Sequence, residues 1–237
     1  MAAYREHITV SGLLGIGYGT AATYGLGFTP VQAALAGCIT GIGGMLPDLD
    51  SESGRPVREI FSVTAAMAPM VMMNRLLEWG HTTDGAMLLA VLLFVAVRYG
   101  GAMLLGVFTE HRGMFHSVPA MLIAAELVFL GYKSDSLRVK LLMATGVALG
   151  FLSHLILDEM YSVQWTGVRV KLKASAGSAL KLAGKDFGAN VVTFGLLATL
   201  TYVVLVDGGV VAPAHLPGRR PPTQSVPHAT KPDVFRG

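Results

Sequence analysis

The chain has 237 residues, 52% of them hydrophobic and 14% charged, with a mean hydropathy of +0.56 and a formal net charge of +3. Soluble domains carry about 25% charged residues, so this composition excludes an ordinary water-soluble fold and points to lipid. No Asp, Glu, Lys or Arg stands between His7 and Pro47, whereas a core helix of a soluble protein keeps a wet face over so long a run.

The opening MAAYREH lacks the basic n-region, short apolar core and small-residue cleavage site of a secretory signal, so the first apolar stretch is expected to stay in the mature protein. Cys38 is the sole cysteine and lies within an apolar segment. Disulfides and Cys-rich metal sites are thereby excluded, and a bound metal would have to draw on His and carboxylates. The basic balance suits anionic lipid head groups, and nucleic acid is not indicated.

Seven apolar segments follow one another: 8–28, 31–47, 60–77, 85–108, 115–132, 139–157 and 187–206. Most reach the roughly 20 residues a span requires, which predicts an all-α polytopic membrane bundle of six to seven hydrophobic helices. On the first, Gly15 and Gly19 form a small-xxx-small pair that lets a second backbone come close. The sequence Gly27-Phe28-Thr29-Pro30 supplies a turn, and the shorter second segment, with Gly37, Gly41, Gly43 and Gly44, is expected to pack closely on the first.

Pro47 then ends that helix, and Asp48-Leu49-Asp50 is expected to be extended, with its carboxylates on alternate sides of the chain. Between the fourth and fifth segments lie His111, Arg112 and His116, where a turn at Arg112-Gly113 brings the two imidazoles together. Near the end of the sixth segment, His154 and Asp158 stand four residues apart and therefore one turn apart on one helix face. Between the sixth and seventh segments, Val168, Val170 and Leu172 alternate with Arg169, Lys171 and Lys173, which reads as a short strand or interfacial strip. The expected division is a membrane-embedded domain over 1–207 and a disordered, Pro-rich tail over 208–237.

If all seven segments cross, His7, Asp48, Asp50, His111, His116, His154 and Asp158 all fall on one face of the bilayer. That face collects nine Lys and Arg against six near the other, which predicts by the positive-inside rule that it is cytoplasmic and the membrane the plasma (inner) membrane. Each piece has an ordinary alternative. Asp48 and Asp50 can be solvated helix caps, His154 and Asp158 a mutually bonded pair at the interface, and His111 and His116 interfacial residues. An N-terminal interfacial His such as His7 usually has no function. Ionisable groups at the end of an apolar helix are nevertheless expensive without partners, which favours a shared site. Imidazole nitrogens and carboxylates are the donors that zinc and other first-row ions take. Glu6, Glu110 and Glu159 adjoin these candidates and are expected to orient them. Tyr161 and Trp165 are expected to anchor the interface.

In order along the chain, an N-terminal His before a hydrophobic hairpin, Leu46-Pro47-Asp48-Leu49-Asp50, His111-Arg112-Gly113-x-x-His116-Ser117 and Ser153-His154-x-x-x-Asp158 resemble a known family. It is the YdjM-like family of membrane-bound metal-dependent hydrolases, which includes a LexA-binding inner-membrane protein, and the likeness covers roughly residues 4–165. The family is distantly similar to zinc-dependent phospholipase C and P1-type nucleases. The resemblance implies that His7, Asp48, Asp50, His111, His116, His154 and Asp158 are metal ligands. The chain departs from the family pattern at Ser51, where a His often follows the Pro-Asp-x-Asp, and at Phe115, where Thr often precedes the second His.

The function this predicts is hydrolysis of a phosphoester or lipid head group at the membrane surface through a water activated by a divalent metal, most simply zinc. Asp50 or Asp48 would accept the water's proton and Arg112 would attract the phosphate oxygens. Two other classes compete. One is a membrane-anchored regulator or scaffold that binds a protein partner through the basic 167–186 segment, with a structural or vestigial metal site. The other is a transporter, suggested by seven spans and by Arg98 within the fourth, although transporter sites lie near the bilayer midplane.

Overall fold

The structure is a computed structural model that describes residues 4–50, 55–101, 114–165, 170–172, 180–184 and 186–212. The described residues are all-helical apart from two short paired strands. In chain order the helices are α1 (Tyr4–Tyr24), α2 (Pro30–Gly43), α3 (Arg55–Val71), α4 (Met73–Gly80), α5 (Thr83–Val95), α6 (Val118–Gly131), α7 (Leu137–Ser162) and α8 (Phe187–Asp207). Strands β1 (Val163–Trp165) and β2 (Val170–Leu172) pair antiparallel, with Gln164 opposite Lys171. The alternation read around residues 168–173 is thus a strand at 170–172.

The first hairpin forms as its residues dictate. Gly27 takes a positive φ of 71°, and Thr29 caps α2 in a capping box with Gln32 while Pro30 occupies the first turn. Glycine then sets how closely α1 and α2 approach. A Cβ on Gly15 would stand 2.4 Å from the Gly37 carbonyl oxygen, and one on Gly37 would stand 2.7 Å from the Gly15 oxygen. The long helix α7 packs against α1, α2 and α6 and forms the spine of the bundle. A core of Ala22, Ala33, Ala36, Ile39, Leu142 and Met143 fills the space between.

Among the described residues, three helical stretches are long and apolar enough to cross a membrane: Thr83–Gly101, in which α5 runs on through a π-helical turn, then Leu137–Ser162 and Phe187–Asp207. A fourth results if Arg58–Val71 and Met73–Gly80, bent by 62° at Met72, count as one span. The count of six to seven expected from composition is therefore not met among the described residues. Helices α2 and α6 have 14 residues each, about 21 Å of rise against the roughly 30 Å hydrocarbon core. Helix α1 has the length, but its Gly, Thr, Ser and Tyr residues dilute its hydropathy. Within the expected span 60–77, Pro69 removes a backbone donor and α3 ends two residues later.

Helix α8 has no buried residue, and apolar side chains such as Phe187, Val191 and Val192 stand open on its surface. So large an apolar surface fits hydrocarbon as its solvent, and the protein is a membrane protein. The segment 102–113 and the expected tail from residue 213 onward lie outside the described residues.

Candidate metal centre

Five of the seven residues singled out in the sequence meet at one end of the bundle. His7 comes from the first turns of α1, Asp48 from the turn after α2, His116 from the residues just before α6, and His154 and Asp158 from the last turns of α7. The Leu46–Asp50 segment is a 3-10 turn, not the extended strip expected after Pro47. Proline fits the first turn of such a helix because its missing N–H has no partner to find there. The Asp48 backbone instead donates to the Met45 carbonyl at 3.2 Å, which curls the carboxylate back toward α7. The side chain of Asp50, and His111 and Arg112 altogether, lie outside the described residues.

His154, 1% exposed, is the centre of the cluster. Its Nδ1 lies 2.8 Å from the carbonyl oxygen of Gly44. A carbonyl can only accept, so Nδ1 donates, and in the neutral ring Nε2 then carries a lone pair. That Nε2 is buried without a hydrogen-bond partner. It faces Asp48 Oδ1 at 3.6 Å and Asp158 Oδ2 at 3.7 Å. His116 Nε2 stands 3.9 Å from each of those two oxygens. On the other side of the cluster, His7 Nε2 is 3.3 Å from Asp158 Oδ1. The His7 ring stacks on His154 with centroids 3.6 Å apart, and His7 Nδ1 is buried without a partner.

Two triads result, His7–His154–Asp158 and Asp48–His116–His154, with ligand atoms within 4.8 Å of one another in each. The lone pair of His154 Nε2 and the carboxylate oxygens that face it repel unless a proton or a metal cation lies between them. Four ligands at about 2.0–2.1 Å from zinc stand about 3.4 Å apart, close to the 3.3–3.9 Å seen across this cluster. The donor types and the tautomer of His154 suit a divalent metal ion, and the ligand atoms of each triad lie within 4.8 Å of one another. His7, the most ordinary of the candidates by sequence, proves 3% exposed and fully inside the site.

Glycines hold the arrangement. A Cβ on Gly150 would meet the Thr40 carbonyl oxygen at 1.9 Å, and one on Gly44 would meet Ser11 Cβ at 2.2 Å. The Ser11 hydroxyl donates to the carbonyls of His7 at 2.7 Å and Gly41 at 3.0 Å, so α1 and α2 are stitched together next to two of the ligands. Glu6, expected to support a ligand, bonds the Tyr161 hydroxyl. The Glu159 carbonyl and carboxylate accept from Ser162 Oγ at 2.6 and 3.4 Å. Sequence reading missed the Gly44 carbonyl, whose only trace is the run of glycines in α2. It also missed Tyr4, whose hydroxyl bonds Glu59 within electrostatic reach of Asp48.

No curated protein matches the chain, and no solved structure does. The family model described as YdjM inner membrane protein matches residues 3–172. That stretch runs from just before α1 to the end of β2 and carries all five converging side chains, and the chain belongs to the YdjM inner membrane protein family.

Proposed function

We propose that this protein is a membrane-bound hydrolase that depends on a divalent metal, most simply zinc, and cleaves a phosphoester presented at the membrane surface. The observation that carries the proposal is the bare Nε2 of His154, locked as an acceptor by the Gly44 carbonyl and aimed at two carboxylates. His7, Asp48, His116, His154 and Asp158 would hold the ion. When bound, such an ion polarises a phosphoryl oxygen and lowers the pKa of its water toward about 7. Asp158, 5% exposed, touches three imidazoles and is the anchor of the set. Asp48 is the more open carboxylate, with 24% of its side chain exposed, and would take the proton of the attacking water. Asp50 is the other carboxylate proposed for that proton, and Arg112 is proposed to bind the phosphate oxygens with its planar guanidinium. A site near the ends of membrane helices would meet lipid head groups as its nearest phosphoesters.

The test is elemental analysis of detergent-purified protein beside His154→Ala and the double variant Asp48→Ala/Asp50→Ala. Wild type is expected to carry metal, and both variants to lose it. Zinc at about one hundred times its Kd should stabilise wild type by about 2.7 kcal/mol and leave His154→Ala unmoved. Metal-free wild type that takes up no zinc would remove the hydrolase reading, and capture of a protein partner by the basic segment would then favour a membrane-anchored scaffold.

A further inference from the structure

The family match ends at residue 172, yet residues beyond it reach the segment that carries His116. His116 lies in the irregular Met114–Ser117 segment that leads into α6. The Ser117 hydroxyl donates to the Met114 carbonyl and accepts from Ala120 N–H at 3.3 Å, so the segment is tied to the first turn of α6. From outside, the Val118 N–H donates to the Lys181 carbonyl at 3.2 Å. Gly184 lies against buried Met114, close enough that an added Cβ would stand 3.2 Å from its Sδ. Asn190, in the first turn of α8, grips Gly184 by both backbone groups. Its Oδ1 accepts from the Gly184 N–H at 2.7 Å and its Nδ2 donates to the Gly184 carbonyl at 2.9 Å.

Helix α8 packs one partly buried face on α6, and polar side chains add contacts that fix it at defined points. Asn190 acts at the metal end, and Thr201 donates to Glu126 Oε1 further along. At the far end Asp207 pairs with Lys140 and Arg75. A two-bond clasp on one backbone residue fixes both its distance and its rotation, which a single bond does not.

We propose that Asn190 is a positioning residue for the metal centre: through Gly184 and the Leu180–Gly184 segment it holds the Met114–Ser117 turn so that His116 meets Asp48 and Asp158. The inference rests on the metal reading above. It assigns to α8, which lies beyond the family match, the task of completing the ligand set from outside the bundle.

Full-length protein in detergent, titrated with cobalt(II) as the probe, tests it by affinity and by the visible d–d spectrum. Asn190→Ala should weaken cobalt binding about tenfold, the lower end for residues that orient a ligand, and shift the spectrum in the direction that His116→Ala does. Val118→Pro reaches the same segment without touching α8. Ser117 is already extended at φ −152° and ψ 158°, as a residue before proline must be, and proline suits the first helical position. The substitution deletes only the N–H that Lys181 accepts, and should give the same spectral shift. Thr201→Val, which removes the hydrogen bond to Glu126 on α6, should leave the spectrum alone. Wild-type cobalt spectra and affinities in both Asn190→Ala and Val118→Pro would overturn the proposal, as would the same shift in Thr201→Val. Should Asn190→Ala fail to fold, Val118→Pro decides. Wild type that binds no cobalt would remove the metal reading and this inference together.

Discussion

Replacing Gly150 by alanine puts a Cβ 1.9 Å from the Thr40 carbonyl oxygen and 2.8 Å from the Gly44 amide nitrogen. Ordinary contact for such a carbon begins at 3.4 Å, so α7 must move about 1.5 Å from α2. Both atoms that block the Cβ belong to the backbone, and no side chain can swing aside to relieve it. The His154 Nδ1 to Gly44 carbonyl distance, 2.8 Å at present, would open to about 4 Å, beyond hydrogen-bond range. Overpacking costs about 1–3 kcal/mol, and the orphaned Gly44 carbonyl and imidazole add about 1–3 kcal/mol more. The ring also loses the bond that fixes its tautomer, which lowers metal affinity about 10- to 100-fold. Competition with a chromophoric chelator reads the affinity, and unfolding in detergent reads the stability. Gly19→Ala is the control, because its Cβ would meet Ala33 O at 2.9 Å on the α1–α2 contact. It should destabilise the fold without weakening metal binding. Gly150→Ala with wild-type metal affinity would refute the claim that close packing of α2 on α7 builds the site.

At the opposite end of α7, Lys140 has 7% of its side chain exposed, pairs with Asp207 and lies 4.2 Å over the Phe129 ring centroid. Lys140→Met should cost about 2–3 kcal/mol in unfolding experiments, and adding Asp207→Asn should return part of that loss; strictly additive effects would argue against a coupled pair. The same pairing places the end of α8 beside the start of α7, whereas His154 lies 14 residues along α7 from Lys140, about 21 Å away. With the metal face cytoplasmic, as the Lys and Arg distribution predicts, a C-terminal alkaline phosphatase fusion is expected to be active and a fluorescent-protein fusion dark. The reverse pattern would put the metal face outside.

Much of the candidate site could be read from the sequence because it is built from residues that are expensive where they stand. His154 and Asp158 at the end of an apolar helix announce each other by spacing. His7, Asp48 and His116 join them through a rule about helix ends and not about neighbours in the chain. What stayed hidden has a common cause. The Gly44 carbonyl, the Gly184 backbone and its Asn190 partner make contacts between main chain and side chain in irregular segments, where no periodicity reports them. The same blindness explains the turn at Leu46–Asp50, whose curl depends on a carbonyl from Met45. Hydropathy alone did not fix the number of spans, because it measures lipid compatibility and not length. The 14 residues of α2 are apolar because they meet α1 and α7, and glycine packing asks for small side chains as much as a membrane does.

The two ends of α7 hold polar groups in opposite ways, and the contrast bears on how the protein responds to its metal. At the Lys140 end, cations meet Asp207 and Arg75 donates to the Leu130 carbonyl, so charge and hydrogen bonds are matched within the chain. At the His154 end, the packing of glycines and the bond that His154 donates to the Gly44 carbonyl force a lone pair toward carboxylates and hold it there. A fold that brings acceptors together carries an electrostatic cost in the absence of a cation. Binding a divalent ion on the proposed reading turns that cost into attraction, so metal affinity and fold stability rise together. Helices locked by backbone contact cannot spread to relieve the repulsion. The site is therefore preformed, and on the proposed reading its rigidity, more than the number of its ligands, would give it selectivity for an ion that accepts these separations.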